Sequence, residues 1–206
     1  MAAIAVLLVL GAVKLFKTVF LHEKMGTLTN AGDVTVQAEL LSVNDNSRPG
    51  MRMRKSDVKG IIIHFTGIPG QDALGQRNFY ESLKATKQNS LGSHFIVGMK
   101  GEIIQCIPIN EECCDNGKHN SDMISVMYCH SDETGTPSTE TYTSLVKLTA
   151  KLLKEFKLDS SHIYLHTEVT GLDIVCPRFY AENPEKWNSF KNDVANYLLT
   201  YGKKMK

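Results

Sequence analysis

The stretch SHFIVGMKGEIIQCI, residues 93–107, constrains the fold more than any other part of the chain. Two apolar runs flank a Lys-Gly turn, the pattern of a β-hairpin, so the sheet that forms contains an antiparallel pair and is not purely parallel. Further strand-like runs surround it. GIIIHFT (60–66) is short, apolar and β-branched and breaks at GIPG, which reads as a buried strand whose end directs His64 into a cleft. MISVMYC (123–129) and HIYLH (162–166) read as two more strands, the second ending on His166. Helical spacing marks DALGQRNFYESLKATK (72–87), with Leu74, Phe79 and Leu83 on one side. It also marks STETYTSLVKLTAKLLKEF (138–156), with Ser138 as its cap. NPEKWNSFKNDVANYLLTY (183–201) is a third helix, with Asn183 as cap and Pro184 at the first helical position. The class is α/β, with a mixed central β-sheet flanked by helices.

The 206 residues, 42% hydrophobic and 22% charged, suit one globular domain with an appendage. The appendage is expected at residues 1–20, where AAIAVLLVLGAV (2–13) is unbroken apolar sequence and the stretch to Phe20 approaches the ~20 residues of a spanning helix. An uncleaved membrane anchor is expected there; a signal peptide competes, but nothing resembling A-x-A follows the apolar run. Lys14 and Lys17 follow that run, which by the positive-inside rule favours a cytoplasmic domain. Residues 21–57 are polar and read as a tether with one strand near 35–42, residues 58–201 as the domain, and 202–206 as a basic tail. A formal net charge of +1 encodes no strong pull toward nucleic acid.

His64 and His166 end two apolar strands, and Cys176 lies on the loop HTEVTGLDIVCPRF ten positions after His166. Neighbouring strands would bring both imidazoles to one point, with the loop folding the cysteine back onto it. Two imidazoles, one thiolate and an open position suit a catalytic zinc site. Cys176 paired with His166 also suits a cysteine nucleophile, and each residue alone is an ordinary core residue. Spacing leaves the three readings open. Five cysteines (106, 113, 114, 129, 176) make no disulfide lattice for a chain of this size, and the state of Cys106, Cys113, Cys114 and Cys129 is open.

The ordered blocks GIIIHFTGIPG, SHFIVGMKGEIIQCIP, NSDMISVMYCHSDETG and LHTEVTGLDIVCPRFY resemble the zinc-dependent N-acetylmuramoyl-L-alanine amidases, which share their fold with peptidoglycan recognition proteins. The resemblance covers roughly residues 58–198. It implies Zn²⁺ held by His64, His166 and Cys176. It also implies hydrolysis of the amide between the lactyl group of N-acetylmuramic acid and L-alanine in peptidoglycan, and therefore action outside the cytoplasmic membrane. That location conflicts with the lysine bias and takes precedence over it.

The resemblance also exposes departures. Met127 stands where relatives carry a catalytic Glu, Ile174 where they carry a Lys, and Ser93 where some phage relatives carry a Tyr. Glu168 is the remaining candidate for acid–base or ligand-orienting work. His94 and His130 are candidates for substrate contact; His130 could reach the cleft mouth, with a solvent-facing position the plainer reading of it. Asp173 is near the site in sequence only. The competing function is a peptidoglycan-binding or sensing module that keeps zinc without turnover.

Overall fold

The computed structural model describes residues 26–28, 34–171 and 174–204. The anchor expected at 1–20 lies outside them, as do Lys14, Lys17 and Asp173. No helix among the described residues is long and apolar enough to cross a membrane.

Among the described residues, six strands form one sheet: β1 (Gln37–Ala38), β2 (Gly60–Phe65), β3 (Phe95–Val97), β4 (Ile103–Gln105), β5 (Met123–Tyr128) and β6 (Ile163–Leu165), in spatial order β1-β4-β3-β5-β2-β6. Among these six strands only β3 and β4 pair antiparallel; every other pair is parallel. The expected hairpin is thus the single reversal in a mixed sheet. Its turn closes through Gly98 N–H to Glu102 O at 2.8 Å, with Gly101 at φ +81°, where a side chain would be strained.

Among the described residues, five helices flank the sheet: α1 (Ala73–Thr86), α2 (Thr139–Phe156), α3 (His166–Thr170), α4 (Arg178–Glu182) and α5 (Pro184–Lys204). Ser138 caps α2 by accepting the Thr141 N–H at 3.0 Å, and Asp72 caps α1 by accepting that of Gly75. Both helices end at a lysine in the left-handed conformation, Lys87 and Lys157. The buried stripe of α1 is Ala73, Gln76, Tyr80 and Leu83; Leu74, expected on that side, is half exposed. The last helix runs through Lys204, so the tail expected from 202 begins as its final turn.

Strand periodicity sorts the core into two layers. Ile61 and Ile63 of β2 and Ile124, Val126 and Tyr128 of β5 pack with Leu145, Leu148 and Leu152 of α2 and Phe190 of α5. The opposite face sends Ile96, Ile104, Met127 and Cys129 against Ala73, Tyr80 and Leu83 of α1. His64 alternates with Ile63 and sits opposite Met127 in the β2–β5 register, so it belongs to the α1 face.

Over its described part, the segment expected at 21–57 as a tether with one strand near 35–42 packs onto the domain, and β1 lies within that expected strand. Leu28, Val34, Leu41 and Met53 are buried, and β1 adds the sixth strand beside β4. Arg48, 3% exposed, makes a two-pronged ion pair with Glu111, 2% exposed, at 2.7 and 2.8 Å. This segment is part of the domain.

Candidate metal centre

The β2–β6 register pairs Ile63 with Leu165, so the next residues, His64 and His166, emerge side by side. Their ring centroids lie 4.4 Å apart. His166 opens α3 rather than closing β6, which turns its side chain in over the strand ends. The returning loop is clamped by Thr167. Its N–H donates to the Cys176 carbonyl at 3.1 Å, and its hydroxyl accepts the Cys176 N–H at 2.9 Å. Cys176 is thereby buried against the two rings. One ligand atom from each of His64, His166 and Cys176 lies within 4.8 Å of the others.

The surroundings suit a cation. His64 Nε2 donates to Asn116 Oδ1 at 3.1 Å, which fixes the tautomer and leaves the Nδ1 lone pair free to ligate. Both ring nitrogens of His166 are buried without a well-formed hydrogen bond to any described residue, the Asp115 backbone acting on the ring only weakly, a costly state that an electron-pair acceptor would relieve. Burial, helped by the neighbouring His166, pushes His64 down to about 3. Burial also lowers His166, against a smaller opposing effect of the Asp115 backbone. Both imidazoles are therefore neutral, the form that binds metal. Burial pushes the Cys176 thiol up to about 12, so without a cation it is a poor nucleophile. Two imidazoles and one thiol fit zinc with an open position.

The three side chains form the floor of an open cleft of about 550 Å³, together with Asp115, Met127, Tyr80 and Gln76. Ile68, Phe79, Leu91, Ile174, Val175 and Arg178 line its walls. The cleft opens at the carboxyl ends of β2 and β6, the usual place for a site in a largely parallel sheet.

Residues 54–179, more than half of the chain, match the N-acetylmuramoyl-L-alanine amidase family. The chain belongs to that family. It is 29% identical over 178 residues to the N-acetylmuramoyl-L-alanine amidase CwlL of Bacillus licheniformis, covering 80% of this chain and 48% of the relative. The chain thus spans about half the length of the curated relatives it matches. Its fold matches a mutant endolysin from Bacillus subtilis with a TM-score of 0.63 and 25% identity, over 78% of this chain and 99% of that one. It also matches PlyL with a TM-score of 0.66 and 20% identity, over 80% of this chain and 99% of that one.

Within this amidase fold the sequence-derived candidates separate. His64, His166 and Cys176 come together; Met127 faces the same cleft, its Sδ taking the Tyr80 hydroxyl at 3.1 Å. Ile174 stands on the wall, 46% exposed. Glu168 does not line the cleft: its carboxylate accepts the Leu165 N–H at 2.8 Å and caps α3. His94 is corrected as a substrate contact. It is fully buried, with Nε2 donating to Glu111 O and Nδ1 accepting the Ser125 N–H. It pairs at the level of Ser125, and Ser125 is opposite Ile62, two residues below His64. His130 is neither solvent-facing nor at the cleft mouth. It is 1% exposed, stacked on Phe65 at 5.1 Å, with Nδ1 bonded to the Asp132 carbonyl. Ser93 is buried on the Phe95 and Ser125 carbonyls. All five cysteines are free and buried.

Sequence reasoning missed Asp115, Asn116 and Tyr80. The first two sit in CCDNG, where Asp-Asn-Gly reads as a turn; Asp115 takes φ +83° and Gly117 φ +57°. That turn is what carries them under His64.

Proposed function

We propose that this domain is a zinc-dependent amidase that hydrolyses the bond between the lactyl carbonyl of N-acetylmuramic acid and the amino group of L-alanine in peptidoglycan. The observation that carries the reading is the set of three ligand atoms within 4.8 Å on the floor of a cleft, in a chain of the amidase family. The amidase name of the curated relatives supports it. His64, His166 and Cys176 would hold the ion, with Asn116 orienting His64. Bound there, zinc would polarise the scissile carbonyl and make water a better nucleophile near neutral pH. The chain's own residues do the rest. Ile68, Ile174 and Val175, all about half exposed, offer apolar surface to the lactyl and alanine methyl groups. Arg178 sets a cation at the cleft wall, anchored on the Glu133 carbonyl at 2.8 Å, where a stem-peptide carboxylate would meet it.

Elemental analysis of the parent and of His64→Ala, His166→Ala and Cys176→Ser tests the metal assignment. Stoichiometric zinc in the parent and its loss from each variant is expected; zinc retained by all three would overturn it. Met127 and Ile174 favour a second reading, a recognition module that keeps zinc and groove but does not turn over. The buried, raised thiol of Cys176 speaks against a cysteine hydrolase.

Peptidoglycan as substrate places the domain on the extracytoplasmic side, with residues 1–20 as its anchor. Protease shaving of intact cells that express the full chain tests this. Digestion of the domain without lysis is expected, and protection until lysis would contradict it.

A further inference from the structure

The cleft contains a carboxylate that the sequence did not reveal. We infer that Asp115 is the acid–base residue of the reaction, supplying from the loop after β4 the carboxylate that position 127 of β5 lacks. The inference rests on the amidase reading above.

Four observations carry it. Asp115 is the only Asp or Glu among the described residues that line the cleft. Its Oδ2 lies 3.9 Å from His64 Nδ1, the nitrogen that the Asn116 bond leaves for the metal. It is nevertheless outside the mutually close ligand set of His64, His166 and Cys176, so it stands beside the ion's position rather than among its ligands. Finally, its side chain is 18% exposed and its carboxylate makes no hydrogen bond to any described residue. A largely buried carboxylate without donors is costly, and a water or an amide N–H in the cleft would supply one.

The placement is built rather than incidental. Asp115 holds φ +83°, a region few non-glycine residues occupy and one that collects at functional sites. The loop is tied down on both sides. Glu111 is gripped by Arg48 and takes the His94 ring on its carbonyl, and the Asn116 N–H donates to Asn120 Oδ1 at 2.8 Å. The nearest rival, Met127, presents a thioether already bonded to Tyr80.

In the step, the Asp115 carboxylate removes a proton from the attacking water as its oxygen bonds to the lactyl carbonyl carbon. The same proton then passes to the alanine nitrogen as the C–N bond breaks. The products are a lactyl carboxylic acid and a free alanine amine, with no other reactant consumed.

The test compares the parent with Asp115→Asn and with Asp115→Asn/Met127→Glu, all zinc-loaded. Asparagine tolerates positive φ, so the loop should keep its shape. Three quantities are read: zinc content, turnover of a muramoyl-peptide, and affinity for acetohydroxamate, whose acidic proton a neighbouring carboxylate would hold. Asp115→Asn is expected to keep its zinc, lose turnover by about 10²–10⁴-fold with little change in KM, and bind hydroxamate more weakly. The double variant should recover about tenfold or more, because a carboxylate again faces the cleft. The assignment falls if Asp115→Asn turns over within about threefold of the parent, far short of an acid–base effect. It also falls if that variant loses zinc, or if its hydroxamate affinity is unchanged. A zinc-loaded parent that releases no amine overturns the amidase reading and Asp115's role with it; an active parent matched by Asp115→Asn overturns the role alone.

Discussion

Arg48 and Glu111, 63 residues apart in sequence, hold each other through two hydrogen bonds in the interior, and a third runs from Arg48 Nη1 to the Leu41 carbonyl at 2.7 Å. The pair staples the segment ahead of β2 to the loop that delivers Asp115 and Asn116 to the cleft. Removing one partner strips the other, buried charge of its two-pronged ion pair. Glu111→Ala should therefore cost about 3–5 kcal/mol of stability. Arg48→Met should cost a similar amount, and both should weaken zinc binding because the loop beneath His64 loosens. Urea unfolding together with chelator competition measures the two effects; a stability loss with unchanged zinc affinity would separate the staple from the site.

Asn116 orients a ligand without touching the metal position. Replacing it by alanine strands the His64 Nε2–H in the interior and frees the ring to turn. Asn116→Ala should lower zinc affinity by about 10–100-fold, the usual cost of losing such a support. Competition against a fluorescent chelator reads this directly, and Asn116→Asp, which keeps an acceptor oxygen, should recover most of it.

His94 gives the fold an acid sensitivity independent of the metal. Burial holds its pKa at about 4, below the ordinary 6.5, although its bond to the Glu111 carbonyl opposes the shift. Below 6.5 the unfolded chain takes up a proton that the folded chain refuses, so stability falls as pH drops toward 4. At neutral pH His94→Phe should cost about 2–4 kcal/mol, since the ring's bonds to Ser125 N–H and Glu111 O are both lost in the interior. That cost should shrink as pH falls through this window, because the variant has no histidine to protonate. Parallel urea titrations at several pH values check it; a constant difference would contradict the assignment.

What was legible in the sequence had a local period. The strand ending on His64, the strand before His166 and the hairpin are short apolar runs bounded by breakers, and parallel pairing of β2 with β6 follows once both carry their histidines at the same end. In the segment before β2 the strand near 35–42 was legible and contains β1, but its packing onto the domain was not, because Val34, Leu41 and Met53 are buried singly, with no repeat to mark them as core. His94 was misplaced for a different reason. It lies on a β-hairpin of the right sheet but at the amino end of β3, and β3, β5 and β2 run parallel, so it cannot reach the carboxyl end where His64 points. Asp115 and Asn116 were invisible because a turn sequence says nothing of the strand it will lie beneath; the Asn116–His64 contact spans 52 residues.

The central claim, a zinc amidase acting on the lactyl–alanine bond, is tested most directly by the chemical ends it creates. Purified peptidoglycan is incubated with the zinc-loaded protein, with the chelated protein, and with the chelated protein after zinc is restored. New amino termini are labelled and identified, and reducing sugar ends are counted in parallel. The expected result is free L-alanine amino termini with no new reducing ends, abolished by the chelator and restored by zinc. Zinc-loaded protein that binds the wall yet releases no alanine amine, or release that continues without metal, would contradict it.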